Sequence, residues 1–211
     1  MRLRVRVVLV VVAALIQAAI AQNLPQVTPF AADATVTSGR AGTNDMTGKM
    51  YVNREHLRMD INNGPLGSAI FITNFGTRMT DTLMPEQHMY MEFNADQAMA
   101  RRPGMAPNIR PFLDPNNPCA SEEGATCKNH GVEDVNGRSC DHWQITQKNG
   151  RVSNTWIDRT LHFPIKAVSD DTTWQLTNIK QGDQEASLFT IPAGYQKVDL
   201  GQMMQGTRQQ Q

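Results

Sequence analysis

Apolar residues along most of this chain recur with a period of two, and that spacing confines it to half-buried β-strands. In HLRMDIN, Leu57, Met59 and Ile61 alternate with Arg58, Asp60 and Asn62; in HMYMEF, Met89, Met91 and Phe93 alternate with His88, Tyr90 and Glu92. Neighbouring side chains on a strand point to opposite faces, so this pattern gives antiparallel strands with one wet face. SAIFITNF (68–75) is apolar on both faces and reads as a more central strand. RMTDTLM, DHWQIT, RVSNTWID, FPIKAVS and TTWQLTNI continue the series. Punctuators stand between them: Asn62-Asn63-Gly64-Pro65, Phe75-Gly76, Met84-Pro85, Asn136-Gly137, Asn149-Gly150 and Gln181-Gly182. Asn149-Gly150, set between two strand-like runs, is a hairpin signal. Roughly ten short strands at near-regular spacing predict a single all-β meander.

Helix is scarce. Asn94 can cap a short helix over Ala95 to Arg101, with Pro103 just beyond its end. The stretch 102–130 holds five of the eleven prolines and two of the three cysteines, which predicts a long ordered loop. Residues 201–211, GQMMQGTRQQQ, have no apolar period and read as a frayed tail.

The first 21 residues, MRLRVRVVLVVVAALIQAAIA, have a different character. Arg2, Arg4 and Arg6 form a basic start, Val7 to Ile16 is an unbroken apolar run, and Ala19-Ile20-Ala21 is a small-x-small cleavage signal. These are the parts of a secretory signal peptide cleaved after Ala21. The apolar run is too short to span a membrane comfortably, so no stable insertion is expected after cleavage. With no cysteine at the cleavage point, lipid anchoring is not expected either. The predicted organisation is a signal over 1–21, one β domain over 22–200 and a tail over 201–211, with a periplasmic or secreted product. Removing the signal changes 20 basic against 20 acidic residues to 17 against 20, a formal charge of −3. That leaves no basic field for nucleic acid.

Export places Cys119, Cys127 and Cys140 in an oxidising compartment, where three single-bridge pairings are open. Loop entropy separates Cys119–Cys127 from Cys127–Cys140 by less than about 1 kcal/mol. Context favours Cys119–Cys127, which brackets the polar stretch ASEEGAT, whereas Cys140 opens the strand-like CDHWQIT.

Motifs with chemistry are few. The sequence contains no GxSxG, GxxxxGK[ST], GxGxxG, HExxH or CxxC, and its five histidines lie singly on five segments. Cys140 and His142 would share a strand face, but no second ligand pair completes a metal site. Glu122-Glu123 and Asp170-Asp171 read as solvated turn charges. No catalytic residue, cofactor or metal centre is assigned. Twelve methionines are more unusual, ten of them within the first 105 residues. Thioethers suit Cu(I), and His88-Met89-Tyr90-Met91 is the best local candidate for it. However, His88 and Met89 would point to opposite faces, and the methionines stand where Leu or Val is usual, so an adaptable apolar lining is preferred. The predicted lining of an apolar cavity is Leu57, Met59, Ile61, Met79, Leu83, Met89, Met91, Phe93, Trp143 and Ile145.

Several segments together resemble a family of bacterial exported domains of unknown function related to the LolA/LolB-type lipoprotein carriers. They include Phe30-Ala31-Ala32-Asp33, Gly48-Lys49-Met50-Tyr51-Val52, Thr82-Leu83-Met84-Pro85, Asn117-Pro118-Cys119, Trp156-Ile157-Asp158, Asn178-Ile179-Lys180-Gln181-Gly182 and Phe189-Thr190-Ile191-Pro192. The resemblance implies an incomplete β-barrel, a strongly curved antiparallel sheet whose concave apolar side is covered by one or two short helices. It also supports the Cys119–Cys127 bridge. By analogy of fold, the concavity would hold a lipid or lipoprotein acyl chain and the protein would not be an enzyme. Two alternatives are an envelope structural or sensor module that binds a protein partner, and a methionine-rich copper-binding protein. Oligomeric state is left open.

Overall fold

The structure is a computed structural model that describes residues 26–39, 45–64, 67–94, 117–119 and 123–198. Among these residues twelve strands make one sheet: β1 (Phe30–Ser38), β2 (Met46–Val52), β3 (His56–Gly64), β4 (Gly67–Asn74), β5 (Met79–Met84), β6 (Met89–Asn94), β7 (Thr126–Val135), β8 (Arg138–Thr146), β9 (Val152–Asp158), β10 (Phe163–Ser169), β11 (Thr172–Gln181) and β12 (Gln196–Lys197). Their order across the sheet is β12-β6-β5-β4-β3-β2-β1-β11-β10-β9-β8-β7. Two meanders, β1 to β6 and β7 to β11, are thus welded through the β1/β11 pair. Every pairing is antiparallel except β12 on β6, a two-residue parallel addition.

The sheet is open and curved, not closed into a barrel. Register shifts interrupt β1 between Ala31 and Asp33, β3 between Ile61 and Gly64, β7 between Asn129 and Gly131, and β10 between Pro164 and Lys166. Such bulges bend a strand and sharpen its twist, which is how one sheet acquires a hollow. Pro164 is tolerated on an interior strand because it sits at one of these irregularities, where a ladder N–H is dispensable.

The turns follow the sequence signals. Asn136 and Gly137 take positive φ of 57° and 76° between β7 and β8, as a tight hairpin requires. Gly150, at φ 81°, closes the β8–β9 connection through its N–H to the Gln147 carbonyl at 2.8 Å. The β9–β10 turn is fastened by Asp158, whose Oδ1 accepts the backbone N–H groups of Thr160 and Leu161 at 2.8 Å each. Its Oδ2 accepts Nε–H of Arg138, and the Asp158 side chain is 2% exposed.

The main core gathers Phe30, Met50, Val52, Leu57, Phe75, Leu161, Phe163, Ile165 and Leu176, all buried. Phe30 meets Phe163 edge to face, with ring centroids 5.1 Å apart. Cys140 belongs to this core as a free thiol. Burial, and then the Asp158 carboxylate, push that thiol up to about 12, so it stays neutral and unreactive near neutrality. Cys119 and Cys127 form the disulfide. Closing so short a loop contributes about 2.5 kcal/mol by loop entropy.

β7 corrects the long loop expected over 102–130, because Thr126 to His130 are already strand. The segment TCKNHGVED shows no apolar alternation, since all of it but Cys127 is exposed on an edge strand held by backbone pairing to β8. The helix expected over Ala95 to Arg101, the signal over 1–21 and the tail over 201–211 lie outside the described residues.

A C-terminal strap forms a second, smaller core. The 3₁₀ turn Ala186–Phe189 and the residues after it lay Leu188, Phe189, Ile191 and Tyr195 over Tyr51, Ile70, Ile72, Leu83 and Tyr90. Arg58 Nη1 donates to the Leu188 carbonyl at 2.8 Å while its Nε and Nη2 hold Asp60. Gln196 and Val198 N–H groups donate to His88 and Tyr90 carbonyls at 2.9 Å each, and Lys197 pairs with Glu92 at 3.2 Å.

His56 stacks on Phe189 at 5.6 Å and sits 3.0 Å from Asn74 Nδ2 through its Nε2. Burial lowers the His56 pKa below its ordinary 6.5, although Glu55 opposes the shift. A base whose folded pKa is depressed contributes stability that is present above 6.5 and lost as pH falls below it. The strap is therefore expected to loosen between pH 7 and 5, seen as faster exchange of the Gln196 and Val198 amides after correction for intrinsic rates. His56→Gln should flatten that dependence. Unchanged protection in the wild-type protein would refute the linkage.

Candidate functional site

Directly paired residues in an antiparallel sheet share a face, so the register assigns each side chain. Phe30 opposes Val52, Ala32 opposes Met50 and Ala34 opposes Gly48. Across the next ladders Val52 opposes Leu57, Met50 opposes Met59 and Gly48 opposes Ile61. Met59 then opposes Phe71, Phe71 opposes Thr82, and Thr82 opposes Met91, with Phe93 beside Thr80 and Met89 beside Met84. In the other direction Val36 opposes Trp174, Trp174 opposes Ala167, Ala167 opposes Thr155 and Thr155 opposes Trp143. Ile145 opposes Ser153 on the same side.

Eight of the ten predicted lining residues therefore share this first face: Leu57, Met59, Ile61, Met89, Met91, Phe93, Trp143 and Ile145. Leu57 and Ile145 are buried, while Met59, Ile61, Met89, Met91, Phe93 and Trp143 are half-buried. Phe71 and Met84, which sequence reasoning missed, extend the same half-buried apolar surface.

Met79 and Leu83 are placed differently. Leu83 opposes Ile70 and Tyr90, and it lies buried in the small core beneath the strap, on the second face. Met79, four residues before it on the same strand, has the same parity. Thr80 and Thr82 take the first-face positions instead, both buried. The turn Ala186–Phe189 packs on the second face, against Leu83 and Ile72; the helix expected over Ala95 to Arg101 lies outside the described residues.

Polar groups are sparse on the first face. Thr73 and Thr80 hydroxyls bond each other at 2.9 Å. Thr82 Oγ1 and Trp143 Nε1 are buried without a hydrogen-bond partner among the described residues. Buried polar atoms usually find partners, so these two are places where a bound molecule could add a hydrogen bond. An apolar cleft between Val36, Met46, Gly48, Met59, Ile61 and Trp174 holds about 20 Å³, room for about one water molecule. Among the described residues the apolar surface here is an open face, and that cleft is no chamber for an acyl chain.

Other candidate chemistry disperses. Cys140 is in the core, whereas His142 is sandwiched between the rings of Trp156 (4.5 Å) and His130 (5.1 Å). Its nitrogens meet Glu133 Oε1 at 2.8 Å and Asn154 Oδ1 at 3.0 Å. Trp156 Nε1 donates to Glu133 Oε2 at 2.7 Å, and Lys166 caps the Trp156 ring at 4.6 Å. This stack ties four strands and leaves His142 no lone pair facing outward. His88 turns to Tyr195 (5.7 Å) while Met89 and Met91 face the other way, so the candidate copper ligands are not brought together. Among the described residues no three His, Cys, Asp or Glu side chains converge on a metal position, and no helix is long and apolar enough to cross a membrane.

Comparisons with known proteins agree with this architecture. The model of the family DUF4412, a domain of unknown function, matches residues 34–162. No curated protein matches the sequence. Among solved structures, an uncharacterized conserved protein from Thermus thermophilus superposes with a TM-score of 0.56 at 11% identity, over 88% of this chain and 98% of that one. MucB in the Pseudomonas aeruginosa MucA/MucB complex superposes with a TM-score of 0.51 at 14% identity, over 86% of this chain and 61% of that one. This chain thus spans less than two thirds of MucB. The LolA superfamily protein NE2245 from Nitrosomonas europaea gives a TM-score of 0.40 at 9% identity, over 81% and 94% of the two chains. At such identities the likeness to the first two is one of fold.

Proposed function

The chain belongs to the DUF4412 family of domains of unknown function, and for this member we propose an exported, non-enzymatic protein that holds an apolar ligand against the first face of its half-barrel. The ligand class is a lipid or lipoprotein acyl chain. One observation carries the reading: Met59, Ile61, Phe71, Met84, Met89, Met91 and Phe93 lie half-buried on one face of four consecutive strands. A half-buried apolar face of that kind, interrupted on β5 by Thr80 and Thr82, suits an interaction site. Its methionines can repack around flexible chains. Export rests on the signal over residues 1–21, which would leave the domain free in the periplasm or medium.

The test uses purified mature protein, with mass spectrometry of extracted lipids and titration with a fluorescent fatty acid. Met91→Asp should weaken fatty-acid binding at least about tenfold. Val132→Asp, on the exposed far edge, should leave it unchanged. No extracted amphiphile and no saturable fatty-acid binding would sink the proposal.

A protein partner is the second reading, favoured by Val132, 56% exposed on the open edge strand β7. That edge is guarded, because its bulge places Asn129 Oδ1 on the Gly131 N–H at 2.6 Å, which blocks a regular added strand. A cross-linked protein at β7, with no lipid recovered, would favour this reading over the first.

A further inference from the structure

On the second face, where the two meanders join, an open hollow of about 560 Å³ lies over β11, β1 and β2. That is the size of a small-molecule site. Its polar lining is Asp33, Lys49, Tyr51, Asn178 and Lys180. These residues come from three of the segments that carry the family resemblance: 30–33 and 48–52, on the paired strands β1 and β2, and the distant 178–182, which β11 brings beside them.

The local backbone is built to bring them together. Between the pairs Ala31–Lys180 and Asp33–Thr177, β11 carries one more residue than β1. Asn178 occupies that bulge with φ 51°, a left-handed conformation that costs free energy outside glycine. The distortion aims its side chain across the ladder, where Nδ2 donates to Asp33 Oδ2 at 2.8 Å. Lys49 Nζ donates to Asp33 Oδ1 at 2.9 Å. The Lys49 and Asp33 side chains are 62% and 38% exposed. An ion pair so wet adds little to stability, and stability alone is a poor reason for the bulge.

The consequence lies in what is left unused. Both Asp33 oxygens have donors, and those bonds, Asn178's before Lys49's, hold its carboxyl below the ordinary range. What then faces the hollow is rich in donors: the other hydrogens of Lys49 and Asn178, the Lys180 ammonium and the Tyr51 hydroxyl. Two lysines against one carboxylate leave a net positive charge. We propose that this hollow is a binding site for an oxyanion, a phosphate or carboxylate group, gripped by Lys49, Lys180 and Tyr51, with Asp33 and Asn178 as positioning residues. Charge-assisted donors held in place before binding are what such a group requires. The site is separate from the apolar face, because Asp33 pairs with Lys49 and Ala31 with Tyr51 on the side opposite Phe30 and Met50.

Isothermal titration of the mature protein with inorganic phosphate, and with dihexanoylphosphatidic acid below its micelle concentration, tests this. Saturable binding of phosphate identifies a free anion as ligand; binding of the phosphatidic acid alone identifies a lipid headgroup. In either arm Lys180→Ala, an exposed position, should weaken binding about tenfold, or about 1.4 kcal/mol. Met91→Asp on the opposite face should leave oxyanion affinity intact, so failure of the lipid reading would not affect this site. Affinity for both probes weaker than about 10 mM, or binding indifferent to Lys49→Ala and Lys180→Ala alike, would overturn the proposal.

Discussion

Replacing Asp158 with alanine is expected to lower stability by about 4 kcal/mol, read as a fall in the urea midpoint at unchanged slope. The side chain is 2% exposed and has three donors on two oxygens. Truncation strands the Thr160 N–H and that of the buried Leu161 and leaves the Arg138 guanidinium, 24% exposed, without its counter-ion. A lost partner costs more than a pair never made, because each abandoned group keeps its desolvation penalty. Asp158→Asn retains one acceptor oxygen for the turn and should cost about half as much. A loss below about 1 kcal/mol for the alanine variant would show that water or a rearranged turn replaces the carboxylate.

Gly48→Ala is the second large effect, at about 3 kcal/mol. A Cβ built on Gly48 would lie 2.0 Å from the Asp60 carbonyl oxygen and 3.0 Å from its carbonyl carbon. Both are backbone atoms of the neighbouring strand, so no side chain can swing aside and the β2–β3 ladder itself must part. Gly48 also faces the cleft by Met59, Ile61 and Trp174, so the distortion should reach the apolar face. On the proposed apolar-ligand reading, paired measurements of thermal midpoint and fatty-acid affinity on this variant would show both losses. A variant as stable as the parent would mean that the strands separate more freely than their packing suggests.

The strands were legible wherever burial was one-sided. HLRMDIN became β3 with Leu57, Met59 and Ile61 on one face, and the Asn149-Gly150 and Asn136-Gly137 signals fell at hairpins. Where burial is two-sided the period loses its meaning. In MTDTLM the apolar Met79 and Leu83 face the strap while Thr80 and Thr82 take the first face, so side-chain polarity points to the wrong side. β7 was hidden for the converse reason, since an exposed edge strand needs only backbone hydrogen bonds and imposes no apolar pattern. The strap could not be assigned from composition because Phe189, Ile191 and Tyr195 follow no regular spacing. Asp33, Lys49 and Asn178 were visible only as fragments of a family resemblance. A bulge, which spacing rules do not foresee, unites them.

The weld between the meanders also dictates when the molecule can fold. Hairpins from β2 to β6 and from β7 to β11 form between chain neighbours, but β1 completes its pairing only when Phe30 reaches Gln181. Contacts so distant in sequence are slow to close, since the loop entropy is lost before the contact is gained. A nascent chain therefore keeps one edge of its most central strand exposed until β11 arrives. In that interval β1 can pair with the wrong strand, and the lifetime of the unfinished chain is set by how soon β11 is released.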